Sequence, residues 1–130
     1  MECNNTGEQI NQKVDVNKIG MDFIQFYFEK FTKSPDDLIT SGLFRPHSRI
    51  KFKGNVFKGE SLLNFIRETG INSTVHINDI QILDSGGRRI DILVSAKINR
   101  NMIIHNFNQY FTLANIKNEW FIHNSLLHIE

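Results

Sequence analysis

The sequence predicts an α+β fold: a strongly bent antiparallel sheet with helices packed on its concave face, which makes the domain cone-shaped. Helical patterns come first along the chain, and residues 73–130 contain only long strand patterns separated by polar turns. Within residues 75–82 the apolar alternation changes parity, which predicts a bulge near Asn78 and Asp79. Because a bulge kinks its strand, this one would bend the sheet around the helices.

Three helices are predicted in the first half of the chain. From residue 14 onward apolar side chains recur at helical spacing, as is typical of a helix lying on a sheet: Val16, Ile19, Phe23, Phe26, Tyr27 and Phe31, with Ile24 and Phe28 widening the stripe. A short helix should follow Ser34, which can cap it, with Asp36 and Asp37 near its positive end rather than in acid–base chemistry. The third helix is predicted at residues 60–69 and should end at Gly70.

The strands are predicted from alternation and from turn residues. Short strands should lie at residues 49–53 and 56–57, after Pro46 has interrupted the chain. Residues 90–98 alternate strictly and follow the bulged strand as a second long one. Residues 105–129 then form a closing hairpin whose polar turn falls at Asn115 to Asn118.

Both faces of this closing hairpin carry large apolar groups, which a sheet with one wet face does not need. We expect one face to meet the helices and the other to bind a partner. The predicted partner-binding face mixes aromatic, aliphatic and amide groups: Ile104, Asn106, Asn108, Tyr110, Trp120, Ile122, Asn124 and Leu126. An inverted register would instead turn some of these residues toward the helices.

The length of 130 residues suits one domain with its own core, and we expect a flexible polar tail at residues 1–13 and a single domain at residues 14–130. The formal net charge of +1 argues against nucleic-acid binding through bulk electrostatics. The single cysteine, Cys3, excludes an intramolecular disulfide and argues against a thiolate metal site. The sequence shows no signal-peptide pattern and no apolar run of membrane-span length, so no membrane partner is expected.

The order of these elements resembles the nuclear transport factor 2-like fold, a cystatin-like roll, from about Lys18 onward. Three patterns are similar to those of its nucleocytoplasmic transport branch. They are the Phe-rich first helix followed by a capped short helix, the Phe-Lys-Gly-Asn-Val-Phe-Lys-Gly segment at residues 52–59, and Phe107-x-Gln-x-Phe-x-Leu113 followed by Trp120 and Asn124. The resemblance implies a protein of the nucleus and cytoplasm, found at the nuclear pore and envelope, with no cofactor, metal or catalytic residue.

Departures from the branch favour one role within it. Where the homodimeric import carrier has three carboxylates for a lysine of the GTPase Ran, this sequence has Lys53, Arg100 and Met102, so Ran binding is not expected. The closing strand reads Asn-Ser-Leu-Leu-His at residues 124–128, where the family usually has Asn-Asp followed by Phe-Arg. The resemblance therefore implies the small subunit of the heterodimeric mRNA-export receptor. Its partners would be the larger receptor subunit, through a domain of the same fold, and Phe-Gly repeats of nuclear pore proteins.

Two alternatives remain open. The first is a homodimeric nuclear import carrier whose Ran site has diverged. The second is a small isomerase or dehydratase with a pocket in the cone, whose base and oxyanion donor would come from Tyr27, Asp79, Asp91, His105 and His123. Against the enzyme, we expect the many Phe side chains to fill the cone.

Metal and nucleic-acid sites are weakly indicated. The five histidines show no short ligand spacing. A basic cluster has the charge to touch RNA phosphates, but no exposed aromatic side chains interleave with it, so a solvated sheet edge is favoured: Arg45, Arg49, Lys51, Lys53 and Lys58. Direct nucleic-acid binding is therefore expected to be weak or absent.

Overall fold

The structure is a computed structural model that describes residues 15–130, so the tail predicted at residues 1–13 lies outside the described residues. Its helices are α1 (Val16–Lys33), α2 (Pro35–Ile39) and α3 (Glu60–Thr69). Its strands are β1 (Phe44–Phe52), β2 (Asn55–Lys58), β3 (Ser73–Gly86), β4 (Arg89–Arg100), β5 (Ile103–Ile116) and β6 (Glu119–Ile129). The strands form one sheet in the order β2-β1-β6-β5-β4-β3.

The sheet confirms the predicted α+β class and the predicted bulge. Neighbouring strands are antiparallel except β1 and β6, which run parallel. In β3 the pairing passes from Ile77 opposite Ala96 to Asp79 opposite Ser95, so Asn78 is the extra residue. The curved sheet leaves a concave side on which α1 packs against β3 and β4.

Helix α1 forms because its N-terminal cap and its apolar stripe both favour a helix over the same residues. The Asp15 side chain accepts a hydrogen bond from the backbone N–H of Lys18 at 3.1 Å. The stripe is buried against the sheet and consists of Phe23, Ile24, Tyr27, Phe28 and Phe31. The prediction that Phe26 belongs to the stripe is wrong, since Phe26 is 36% exposed; at 3.6 residues per turn it lies well to one side. Within residues 15–130, no helix has the length and apolar character needed to cross a membrane.

Helix α2 follows α1 directly. The expected side-chain cap is wrong, because the Ser34 side chain makes no capping hydrogen bond to α2. The residue instead ends α1, with its backbone N–H donating to the Lys30 carbonyl at 2.8 Å. Asp36 forms an exposed ion pair with Arg67 of α3 at 3.0 Å, which ties the two helices together.

Strand β1 begins at Phe44, earlier than predicted, and runs through Pro46. Its pairing with β6 shifts between Phe44 and Arg49, so Pro46 sits in an irregular stretch where its missing N–H removes no ladder hydrogen bond. The buried Ser48 hydroxyl takes over part of the pairing: it accepts from the Arg45 backbone N–H at 2.8 Å and donates to a β6 carbonyl at 2.5 Å.

Aromatic rings fill the concave side, as the Phe content predicted. The Phe111 ring lies 5.0 Å from that of Phe23 and 4.9 Å from that of Tyr27. Between the rings, the Gln109 side-chain amide donates to the Ser125 hydroxyl at 2.8 Å and to the Tyr27 hydroxyl at 3.5 Å. Burial raises the pKa of Tyr27 far above its ordinary value, so this hydroxyl stays neutral.

Candidate sheet-face interface

Six of the eight residues predicted for the partner-binding face lie on the outer face of β5 and β6, away from the helices. Ile104, Tyr110 and Leu126 expose 63%, 38% and 51% of their surface. Two of the three amides, Asn106 and Asn108, are also exposed, and Asn124 is half-buried. Their placement makes them available to a partner, and the binding role stays a prediction.

The assignment of Trp120 and Ile122 to this face is wrong. Ile122 is fully buried in the core, and Trp120 packs partly buried against the same core. The cause is a bulge in β6: Ile122 pairs with Leu113, but the next paired residue of β6 is Asn124, so His123 is extra. An extra residue inverts the parity of the strand, and alternation read straight through it assigns two residues to the wrong face.

Exposed apolar side chains form a row across the outer face. Leu126 lies opposite Tyr110, and Tyr110 lies opposite Leu93 on the next strand. On the other side, Lys51 lies opposite both Leu126 and Val56, so its methylene stem continues the row. Side chains that are directly opposite on one face lie in contact distance. We call Val56, Leu126, Tyr110 and Leu93 the apolar row.

Sequence reasoning missed two members of the apolar row. Val56 and Leu93 are 53% and 40% exposed. Leu93 carried a signal, because it is an apolar residue at a position of β4 whose neighbours on the same face, Asp91 and Ser95, are polar. Val56 carried none, since its place in the row depends on the parallel pairing of β1 with β6.

A polar cluster borders the row on the side of the β5–β6 turn. Asp91 accepts hydrogen bonds from the Thr112 hydroxyl at 3.0 Å and from the Ser85 hydroxyl. Partial burial alone would raise the pKa of Asp91, but hydrogen bonds from Ser85, Tyr110 and Thr112 and the charge of Arg89 together lower it. Asp91 is therefore ionised at neutral pH and fixes this border of the face.

The residues weighed for catalysis are not brought together. Tyr27 is buried in the cone, whereas Asp79 and Asp91 lie on the outer side of the sheet. The His105 Nδ1 atom lies 2.6 Å from the backbone carbonyl oxygen of the last residue, and His123 stands beside another histidine. Within residues 15–130, no three His, Cys, Asp or Glu side chains converge to hold a metal ion.

A bent sheet filled on its concave side and open on its outer side defines a small α+β domain with a candidate protein interface. The chain belongs to the nuclear transport factor 2 (NTF2) domain family, whose model matches residues 19–129. No curated protein sequence matches the chain.

Solved structures share the fold at low sequence identity. Nuclear transport factor 2 from Cryptosporidium parvum superimposes with a TM-score of 0.78 at 20% identity, over 88% of this chain and 94% of that one. The yeast Ubp3-associated protein Bre5 gives 0.78 at 18% identity, over 91% and 98%. A type 2 hexachlorocyclohexane dehydrochlorinase, LinA, gives 0.72 at 8% identity, over 88% and 85%. The fold thus occurs in an enzyme as well as in a nuclear transport factor and a Ubp3-associated protein.

Proposed function

We propose that this chain is a non-enzymatic nucleocytoplasmic transport module that pairs the outer face of its sheet with the same face of a second NTF2 domain. The apolar row is the observation that carries the proposal. Four exposed apolar side chains in register on one face, bordered by amides and hydroxyls, have the composition of a protein interface. The rings that fill the cone support binding rather than catalysis, because catalysis in this fold needs an open cavity.

The proposed role is that of the small subunit of an mRNA-export heterodimer, in the nucleus, in the cytoplasm and at the nuclear pore. The partner would be a larger receptor subunit that carries a domain of the same fold. Bre5 supports the principle, since a solved structure describes it as the cofactor in a complex with the yeast deubiquitinase Ubp3. Its fold therefore serves to assemble with a different protein.

The charges at the positions of the Ran site support this choice over the Ran carrier. The Lys53 ammonium lies 5.3 Å from the centre of the Phe52 ring, in the β1–β2 turn. The Arg100 guanidinium donates to the Thr69 carbonyl at 3.2 Å. A lysine from Ran would meet cations here instead of carboxylates, and like-charge contacts in an interface cost several kcal/mol.

Docking of Phe-Gly repeats would use a second surface, formed by the β1–β2 hairpin and α3. A Phe side chain binds best among other aromatic groups. Half-buried rings of that kind lie where the β1–β2 hairpin meets α3: the Phe57 ring stacks on Phe65 at 4.6 Å, and Phe52 lies 5.6 Å from Phe65. Contacts of this size would be weak and quickly reversed, as passage through a pore requires.

The test is analytical ultracentrifugation of the full chain, alone and co-expressed with the NTF2 domain of a larger mRNA-export receptor subunit. We expect a one-to-one heterodimer. Leu126→Glu should weaken the heterodimer at least about a hundredfold, because it removes an apolar contact and would bury a carboxylate, a cost that the Lys51 ammonium opposite it offsets only in part. Thr74→Glu is the matched control, since Thr74 is exposed on the same sheet face at the start of the edge strand β3.

The possible outcomes of these measurements distinguish the candidate functions. A homodimer of the chain alone, dissociated by Leu126→Glu and kept by Thr74→Glu, would favour the import carrier. Association that survives Leu126→Glu unchanged, with the thermal unfolding of both variants unaltered, would contradict pairing through the apolar row. A chain that associates with neither itself nor the receptor domain would overturn the transport proposal.

A further inference from the structure

A depression on the outer side of the sheet, between β1, β2 and β6, is lined by basic groups and imidazoles. Its lining residues are Pro46, His47, Arg49, Lys58, Gly59 and His123, and its volume is about 520 Å³. Among the described residues, this lining contains no carboxylate. We call it the cation depression.

Two backbone irregularities build the cation depression. The pairing of β1 with β6 shifts between Phe44 and Arg49, which brings His47 out of the regular ladder. The extra residue of β6 is His123, and the two imidazole rings stand side by side with centres 6.2 Å apart. Bulges commonly re-aim side chains next to functional sites. The two histidines face one space because both strands are irregular at this point.

Two carboxylates on neighbouring segments are engaged elsewhere, and a third, Glu60, follows the lining residue Gly59 and is exposed at the start of α3. Glu119 pairs with Arg45 at 2.9 Å, and Asp91 accepts from the Thr112 hydroxyl at 3.0 Å. The Arg49 guanidinium donates to the side-chain oxygen of Asn124 at 3.2 Å. That neutral amide orients the guanidinium without cancelling its charge, so the field at the depression remains positive.

The positive charges around the depression also act on His123. Burial lowers the pKa of His123, and the positive charges of Arg89, Arg49 and His47 lower it further. The other charged groups near this stretch are Lys58, which lines the depression, Arg45 with its partner Glu119, and the exposed carboxylate of Glu60 next to Gly59. A bound anion would act in the opposite direction, because it stabilises the protonated imidazole.

We propose that the cation depression binds a dianionic phosphomonoester carried by a phosphorylated side chain of a protein partner. The permanent charges of Arg49 and Lys58 match the two negative charges, and the two imidazoles donate hydrogen bonds to the remaining oxygens. A single carboxylate would need only one of these cations.

A protein source for the phosphate follows from the position of the depression, and this part rests on the proposed function. Arg49 and Lys58 each lie two residues from a position in or beside the apolar row, Lys51 and Val56, on the same face. A partner on the row would therefore reach the depression. RNA is disfavoured because the neighbouring Phe121 ring is buried under the Arg45 guanidinium, 4.8 Å from it, where no base can stack.

The first experiment titrates the isotope-labelled full chain with sodium sulfate by NMR, since sulfate keeps both charges over the neutral and mildly acidic range. We expect saturable shifts at His47, Arg49, Lys58 and His123, and a rise of roughly one unit in the pKa of His123 at saturation. Affinity should increase as pH falls, because the anion prefers the protonated imidazole. Lys58→Gln and Arg49→Gln should each weaken the binding of sulfate roughly tenfold. Lys97→Gln is the control and should not weaken it, because Lys97 is exposed on the outer face of the sheet in β4, away from the depression.

The second experiment identifies the carrier with three probes: a Gly-Gly-phosphoserine-Gly-Gly peptide, the same peptide without phosphate, and a single-stranded RNA of five nucleotides. The proposal requires the phosphopeptide to bind at least about tenfold more tightly than the other two. Tighter binding of RNA would overturn the protein source, and no saturable response to sulfate would overturn the site. Leu126→Glu should keep sulfate binding, so failure of sheet pairing and failure of the anion site are separate results.

Discussion

Tyr110 and Phe111 are neighbours in β5, yet they belong to surfaces with opposite properties. Phe111 is fully buried among rings from α1, and next to it Gln109 uses its amide to link Ser125 and Tyr27. Tyr110 is 38% exposed, in register with Leu126 and Leu93. The inner face has completed its contacts within the chain, whereas the outer face leaves apolar side chains exposed. The buried inner face therefore stabilises the fold, whereas the exposed outer face is the candidate interface.

The largest expected effect comes from truncating the inner neighbour. Phe111→Ala removes a ring that is fully buried and in contact with Phe23 and Tyr27, so the free energy of unfolding should fall by about 3–5 kcal/mol. Tyr110→Ala is the matched control on the outer face and should change it by less than about 1 kcal/mol in the monomer. Urea unfolding at a protein concentration below self-association measures both.

Measurements on these two variants can also contradict the division between the inner and outer faces. If Tyr110→Ala destabilised the monomer as much as Phe111→Ala, the outer face would be part of the folding core and not a free interface. If Tyr110→Ala lowered the free energy of unfolding only at high protein concentration or with a partner present, the outer face would act as an interface and not as part of the core. The reason is that binding stabilises a fold by mass action.

An intermediate effect is expected at the buried amide. Gln109→Leu leaves the Ser125 and Tyr27 hydroxyls without their shared partner, which should lower the free energy of unfolding by about 1–3 kcal/mol. Asn108→Ala, exposed on the opposite face, should lower it by less than about 0.5 kcal/mol. Thermal unfolding followed by circular dichroism compares the two. A Gln109→Leu protein as stable as the wild type would show that the polar link contributes nothing.

Most of the fold could be predicted because its signals are local. The aromatic stripe of α1 and the parity change that marks the bulge at Asn78 are visible in short windows of sequence. The parallel pairing of β1 with β6 could not be predicted, because it joins distant segments and depends on the Ser48 hydroxyl replacing part of the ladder. The early start of β1 at Phe44 follows from that pairing.

The candidate site was predictable only as far as alternation holds. Residues of β5 alternate regularly up to Tyr110, and those predictions of the outer face are correct. In β6 the extra His123 inverts the pattern, and nothing in the local sequence distinguishes a bulged histidine from a paired one. For that reason Ile122 was placed on the wrong face. The apolar row and the cation depression needed the three-dimensional register, because their members come from strands far apart in the chain.

The smallest expected effect lies at the tip of the β4–β5 hairpin, outside both surfaces. Asn101 and Met102 both adopt positive φ, 53° and 65°, and Met102 is 92% exposed, so its side chain adds no packing to either face. A turn of this kind favours glycine at its second position. Met102→Gly should therefore raise the free energy of unfolding by about 0.5–1 kcal/mol, the relief of strain exceeding the added chain entropy of glycine. Met102→Ala keeps the Cβ atom and should give no gain. Equal stabilisation by both substitutions, measured by urea unfolding, would mean that the exposed methionine itself was unfavourable and that the backbone was not strained.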